Sequence, residues 1–129
     1  MKDANELAAE RTDLAYERTA LANDRTLMAW IRTAVSLVSF GFTLYKFLHE
    51  FREAEHLERS DSVFTPRIVG MVLIALGFLG LLFAYFQYRL DMKRLSSYAN
   101  ELPKSFTPYF AILILLFSMM LFFAAMFRY

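Results

Sequence analysis

The sequence predicts an all-α integral membrane protein with three transmembrane helices, the first of them extended by a long N-terminal heptad-repeat helix. Three observations favour this fold: 57% of the 129 residues are hydrophobic, they concentrate in three blocks, and the first block continues a seven-residue repeat. A mean hydropathy of +0.35 is too high for an ordinary small soluble domain. Three such blocks in so short a chain leave too little polar surface to cover them, and helices satisfy their own backbone groups in a bilayer.

The N-terminal element, residues 1–26, is predicted to be a cytoplasmic helix continuous with the first span. No glycine or proline occurs before Gly41, and most residues here are good helix formers. An Arg-Thr pair recurs every seven residues, which is the period of a coiled coil rather than of a lone helix. The repeated pairs are Arg11-Thr12, Arg18-Thr19, Arg25-Thr26 and Arg32-Thr33.

Heptad positions divide this helix into stripes of different chemistry. Leu7, Leu14, Leu21 and Met28 are placed at d, Ala8, Ala15, Ala22 and Ala29 at e, and Glu10, Glu17 and Asp24 at g. Position a then carries Arg11, Arg18, Arg25, Arg32, Ser39 and Lys46. Arginine suits no dry coiled-coil core, but it suits parallel helices around a wet lumen that anions cross. The alternative is an amphipathic helix whose Arg–Glu pairs are merely solvated.

The first span, about residues 27–48, contains a short uncharged run from Thr33 to Tyr45 between Arg32 and Lys46. Thirteen helical residues rise only about 20 Å, less than the hydrocarbon core. Arg32 and Lys46 must therefore either snorkel to the headgroups or face a watery interior.

The second and third spans are predicted at about residues 67–89 and 105–127, within a membrane domain of residues 27–129. Thr65-Pro66 and Thr107-Pro108 are typical helix starts, with a capping hydroxyl before a proline. Gly70, Gly77 and Gly80 suit close packing of the second span. The cluster Arg89, Lys93 and Arg94 after this span is interpreted either as a topology signal or as a site for anionic headgroups or a polyanion.

Lysine and arginine near the ends of the spans predict the orientation in the membrane. They are more frequent in the N-terminal segment and in the second loop than on the opposite side. The N-terminus is therefore expected in the cytoplasm and the C-terminus outside, although the first loop also carries positive charge. The first thirty residues alternate acid with base, so they do not form a cleaved signal peptide.

Several functions are disfavoured by composition. The formal net charge of +1 gives no general attraction to nucleic acid, and zero cysteines exclude disulfides and thiolate metal sites. His49 and His56 have the spacing of no common zinc motif. The spans contain no carboxylate, Ser–His pair or metal ligand set, so we expect neither an enzyme nor a cofactor-binding or metal-binding protein.

The segment from Leu21 to Thr33, LANDRTLMAWIRT, resembles the signature LANERTFLAWIRT of the YidH-like family of small membrane proteins. Asp24 replaces the usual Glu and Leu27 the usual Phe, and the resemblance covers roughly Leu21 to Phe127. The same domain is similar to the membrane part of the fungal vacuolar transporter chaperone complex. There, three-span subunits form a ring whose first helices line a polyphosphate channel.

This resemblance implies a pentamer, with Arg25 and Arg32 at basic positions of the channel entrance and Arg89, Lys93 and Arg94 in a basic run after the second span. The sequence contains neither the polymerase domain nor the phosphate-sensing domain of that complex, so polyphosphate synthesis is not expected. We therefore expect a parallel homo-oligomer in the cell inner membrane that contacts lipid and conducts an anion such as polyphosphate. The alternative is a non-conducting scaffold for a partner complex.

Overall fold

Three helices make up the architecture of a computed structural model that describes residues 1–55, 66–98 and 102–127. They are α1 (Ala4–Glu55), α2 (Pro66–Tyr98) and α3 (Thr107–Phe127), and the described residues contain no strand. Each helix is long and apolar enough to cross a membrane. The prediction of an all-helical chain with three membrane-type helices is therefore confirmed.

Helix α1 is unbroken over 52 residues, which corresponds to roughly 78 Å at 1.5 Å per residue. Its start is capped by two side chains. The Asp3 carboxylate accepts from the Ala4 amide at 2.8 Å, and the Glu6 carboxylate accepts from the Asp3 amide at 3.3 Å, as the acidic residue of a capping box does. The helix is more than twice as long as a bilayer core is thick. Its first twelve residues, 4–15, are all exposed in the single chain.

The threonines of the repeat are satisfied within α1. The hydroxyls of Thr12, Thr19, Thr26 and Thr33 donate to the carbonyls of Ala8, Ala15, Ala22 and Ala29 at 3.0 to 3.1 Å. A threonine that bonds to its own helix in this way needs no polar partner elsewhere. The repeat of threonine with alanine is therefore compatible with an apolar environment around α1.

Helices α1 and α2 pack antiparallel along a seam whose buried residues are spaced alternately by three and four. This spacing is typical of coiled-coil packing. On α1 the seam uses the c and g positions of the heptad, and not a, d or e. Its buried residues are Leu27, Ile31, Ala34, Val38, Gly41 and Tyr45 on α1, and Gly70, Ile74, Gly77, Leu81, Ala84 and Tyr88 on α2.

Two glycines allow the backbones of α1 and α2 to touch. A Cβ added to Gly41 would stand 2.7 Å from the Gly70 carbonyl oxygen, and one added to Gly70 would stand 2.6 Å from the Gly41 oxygen. Gly77 lies against Val38 and Ala34, whereas Gly80 faces only the ring of Trp30 at 3.4 Å. Gly70 and Gly77 thus serve close packing as expected, and Gly41 is the partner of Gly70 on α1.

Helix α3 completes the bundle by covering part of the α1–α2 seam. Ala111 and Leu115 join a buried cluster with Leu27, Ile31 and Leu81. The buried Ser118 hydroxyl donates to the Leu115 carbonyl at 3.0 Å, so it leaves no unsatisfied polar group. The remaining face of α3 exposes phenylalanine, leucine and methionine. Such a surface suits lipid rather than water.

Candidate functional site

The predicted basic stripe lies on the face of α1 that neither α2 nor α3 covers. Arg11, Arg18, Arg25, Arg32 and Ser39 are all exposed, and Lys46 is half-buried. Among the described residues, none of the four arginines forms an ion pair or a side-chain hydrogen bond. The single chain therefore presents a row of cations that form no ion pair with its described carboxylates.

Next to the arginines, the d positions of α1 form an apolar stripe that is also open. Leu7, Leu14, Leu21 and Met28 are 41 to 53% exposed. The small e-position alanines flank the arginines on the other side and are exposed as well. One chain thus leaves a whole face of α1 without a partner, although its leucines favour burial.

The acidic residues at g are mostly engaged within their own chain. Glu10 pairs with Lys2, and Asp24 accepts hydrogen bonds from Tyr88 of α2 and from Ser105 just before α3. Only Glu17 of the three is fully exposed without such a contact among the described residues. Among the described residues, an arginine of a second chain would therefore find an otherwise uncontacted g carboxylate only at the level of Glu17.

Asp24 connects all three helical segments at the N-terminal end of α3. Its Oδ1 accepts from the Tyr88 hydroxyl of α2 at 2.9 Å, and its Oδ2 accepts from the Ser105 hydroxyl at 2.6 Å and from the Thr107 hydroxyl at 3.3 Å. Ser105 also accepts from the Thr107 amide at 3.2 Å. A carboxylate with three hydroxyl donors is well satisfied despite its partial burial.

At the opposite end of the bundle, α3 is held by its terminal carbonyl groups. The Tyr45 hydroxyl and one guanidinium nitrogen of Arg67 both donate to the Ala125 carbonyl at 3.3 Å, and Arg67 also reaches Met126 at 3.4 Å. The last carbonyls of a helix have no partner within the helix, and a cation beside them is favourable. Helix α3 is therefore fixed at both ends.

A cleft of about 870 Å³ opens between α1 and the start of α3. Arg32 and Lys104 supply its two cations, and we call it the cationic cleft. Its walls are otherwise mostly apolar and include Met28, Val35, Phe106 and Phe110. In the sequence, Lys104 contributes only to the positive charge of the second loop that predicts the orientation in the membrane. Its proximity to Arg32 depends on the folding of α3 against α1.

On the other flank of α1, a smaller crevice of about 170 Å³ lies between α1 and α2. Its polar lining comes from Asn23, Thr26, Gln87 and Asp91, with Trp30 beside them. Asp91 supplies a carboxylate to this lining, and it makes no ion pair with any described residue. We therefore call this surface the acidic flank. No sequence motif pointed to it.

The basic cluster after the second span divides in the structure. Arg89 and Lys93 line a common cleft with Tyr85, Phe86 and Ser96, whereas Arg94 is exposed and does not line it. The Arg89 guanidinium donates to the Tyr85 hydroxyl at 2.9 Å and lies 5.8 Å from the centroid of that ring. Arg89 is thus held in place by an aromatic residue.

Potential metal ligands do not cluster in the described ranges 1–55, 66–98 and 102–127. No group of three or more His, Asp or Glu there could hold a metal ion. His49 pairs with Glu53 at 3.3 Å on the exposed surface of α1. His56 lies outside the described residues.

Comparison with known proteins gives one match. Residues 18–94 match the family model described as Domain of unknown function (DUF202). The matched part contains the arginine stripe from Arg18 to Lys46, Asp24 with its α2 partner Tyr88, and the cluster Arg89, Lys93 and Arg94. No curated protein and no solved structure matches the chain.

Proposed function

This chain belongs to the family of membrane-associated domains of unknown function DUF202. From the open arginine face of α1 we propose that it is a subunit of an anion-conducting homo-oligomer. In this proposal the subunits are parallel and the arginine face of α1 surrounds an aqueous lumen. The anion class includes inorganic polyphosphate. Conduction is passive, since no residues for energy coupling or catalysis are part of the proposal.

The observation that carries the proposal is the open, unpaired arginine stripe on α1. A solvated amphipathic helix would be expected to pair its arginines with carboxylates of the same helix. Here Asp24 is bound to Tyr88, Ser105 and Thr107 instead, so Arg25 gains no partner from it. The neighbouring leucines favour contact with other helices, which would bring the arginines of several subunits around one axis.

Family resemblance supports the choice of the conducted species. The segment from Leu21 to Thr33 resembles the signature of the YidH-like proteins, and the domain is similar to ring-forming subunits of the vacuolar transporter chaperone complex. In that complex the first helices line a polyphosphate channel. By this resemblance we propose a pentamer in which Arg25 and Arg32 stand at the entrance.

In the proposed mechanism the basic rows and the apolar section of α1 have different tasks. Arg11, Arg18 and Arg25 raise the local concentration of anions at the cytoplasmic mouth. Arg32 and Lys46 bracket the uncharged run from Thr33 to Tyr45, which is narrow enough in an assembly to gate by loss of water. The orientation proposed from the loop charges puts this mouth in the cytoplasm and the C-terminus outside the inner membrane.

Anion flux into liposomes that contain the purified protein tests the proposal. The charge at position 32 is varied by comparing the parent protein with Arg32→Lys, Arg32→Gln and Arg32→Glu. Native mass spectrometry follows the number of subunits in each variant. Lysine is expected to retain most of the flux, glutamine to lower it, and glutamate to abolish it with assembly unchanged. Equal anion flux through the parent and Arg32→Glu would exclude Arg32 from the lumen.

A second candidate function is a membrane scaffold that conducts nothing. The exposed stripe of Leu7, Leu14 and Leu21 favours it, because a partner helix from another protein would cover these residues equally well. Replacement of Leu7 and Leu14 by glutamine leaves Asp24 and the bundle untouched. Loss of a stoichiometric partner from the purified complex in this variant, without any anion flux in the parent, would support the scaffold.

The cleft that Arg89 and Lys93 line after the second span supports an additional contact with anionic lipid. Arg89 and Lys93 follow the last apolar residues of α2, at the level where headgroups are expected. Aromatic and apolar side chains form the rest of the cleft, so a phosphate and the start of an acyl chain both find suitable surfaces. For this reason we include membrane lipid among the proposed partners. Nucleic acid is not among them.

A further inference from the structure

The two flanks of α1 carry opposite charge. On the side of α3, the cationic cleft contains Arg32 and Lys104. On the side of α2, the acidic flank contains Asp91 with the neutral polar groups of Asn23 and Gln87. Two different surfaces on opposite sides of one subunit are what a head-to-tail contact between copies requires.

Lys104 and Asp91 also lie at nearly the same level along the bundle. Lys104 precedes Ser105, which donates to Asp24, and Asp91 follows by three residues Tyr88, which also donates to Asp24. Three helical residues correspond to about 4.5 Å. In a parallel ring all subunits stand at one height, so Lys104 of one copy and Asp91 of the next meet without any vertical shift.

The apolar parts of the two surfaces match as well. Trp30 on the acidic flank is 42% exposed and rests with one ring edge near Gly80. The cationic cleft is open and is walled by Phe106 and Phe110, which are 86% and 55% exposed. Trp30 lies between Met28 and Arg32 in α1 and thus at the depth of the cleft. A tryptophan in an apolar pocket is a frequent anchor of protein interfaces.

From these three correspondences we propose that the acidic flank of one subunit docks into the cationic cleft of a second copy. Lys104 of one copy pairs with Asp91 of the other, and Trp30 enters the cleft beside Phe106 and Phe110. The contact is heterologous, and because the subunits stand at one height, its repetition closes a ring with α1 inside. This inference rests on the parallel assembly of the proposed function and specifies which residues hold it together.

Because the chain has no cysteine, pairs of introduced cysteines test the contact directly. The variant Lys104→Cys/Asp91→Cys is treated in membranes with a short bis-maleimide. A heterologous contact links each subunit to two neighbours, so a ladder of covalent bands up to the full ring is expected. Each single-cysteine variant is expected to give only the monomer band, because in a heterologous contact the introduced thiol does not face the same thiol of a neighbouring subunit.

A matched control pairs Asp91→Cys with Thr43→Cys. Thr43 is exposed on α1, but it lies about six helical turns from the level of Asp91. This pair is expected to give no ladder. A double variant Lys104→Cys/Asp91→Cys that stays monomeric, or that stops at a dimer, would overturn the proposed docking.

Charge reversal provides a second test without cross-linking. Lys104→Asp and Asp91→Lys each place like charges opposite one another and are expected to lower the fraction of rings in mild detergent on the order of tenfold. The double reversal is expected to restore it. Rings unaffected by either single reversal would contradict the ion pair.

The outcomes separate this inference from the proposed function. If anion flux depends on Arg32 but no cysteine ladder forms, the proposed pore is retained and this docking is excluded. If a full ladder forms but no anion flux is measured, the docking is retained and the proposed pore is excluded.

Discussion

The hydroxyl of Tyr88 donates to the Asp24 carboxylate at 2.9 Å, across 64 residues of sequence and from α2 to α1. Ser105 approaches the other oxygen of the same carboxylate from the segment before α3. Asp24 therefore fixes the relative position of the three helices at the end where the arginine stripe is richest. Its loss should loosen the whole bundle at that end.

Substitution of Asp24 by alanine is expected to lower the free energy of unfolding by about 2 kcal/mol, because hydrogen bonds to a charged group are lost and three hydroxyls lose their acceptor. Unfolding by SDS in mixed micelles, followed by circular dichroism, measures the change. Glu17→Ala is the matched control: Glu17 has the same heptad position but is exposed, and a change within about 0.5 kcal/mol is expected. Similar losses in the two variants would contradict the role of Asp24.

Alanine at Gly41 or at Gly70 is expected to destabilise the protein by about 1 to 3 kcal/mol, since the new methyl group meets the backbone of the opposite helix. Gly80→Ala has space and should be neutral or stabilising by up to about 1 kcal/mol through helix propensity. The same SDS titration compares the three variants. An unchanged or raised stability of Gly41→Ala would show that α1 and α2 are farther apart.

The Ala125 carbonyl accepts from both Tyr45 and Arg67, so its two donors should be partly redundant. Tyr45→Phe and Arg67→Gln are each expected to cost about 0.5 to 1 kcal/mol, and the double variant more than their sum. A double-mutant cycle on the unfolding free energy measures the coupling. Tyr109→Phe, at an exposed position of α3, serves as a neutral control. Strict additivity would mean that the two donors act independently.

Binding of anionic lipid should depend on Arg89 and Lys93 but not on Arg94. Each of Arg89→Gln and Lys93→Gln is expected to weaken phosphatidylglycerol binding about fivefold, the equivalent of roughly 1 kcal/mol per basic residue. Native mass spectrometry of lipid adducts compares phosphatidylglycerol with phosphatidylcholine. If Arg94→Gln is as damaging as the other two, the basic residues act only through general surface charge.

Local sequence patterns predicted the helices of this protein well. The Thr-Pro pairs pointed to the starts of α2 and α3, which begin at Pro66 and Thr107, and the absence of early glycine and proline pointed to one long α1. These features depend on neighbouring residues only. The heptad pattern also separated the arginine face from the rest of α1, and the structure leaves that face open.

The connections between helices could not be predicted in the same way. Asp24 was interpreted only as the acidic residue of a heptad, because its partners lie 64 and 81 residues away. Gly41 was noted as the end of a glycine-free stretch, but its partner Gly70 depends on the antiparallel register of α1 and α2. The pairing of Lys104 with Arg32 in one cleft likewise required the position of α3.

Backbone contact between Gly41 and Gly70 couples the motion of α1 to that of α2. Each glycine carbonyl occupies the place where a side chain of the other helix would begin, and such interlocked packing does not deform continuously. Helix α1 therefore does not slide along α2 like a piston. In the proposed ring, a change of aperture around the arginine face would therefore have to turn each subunit as one rigid blade, in the manner of an iris diaphragm.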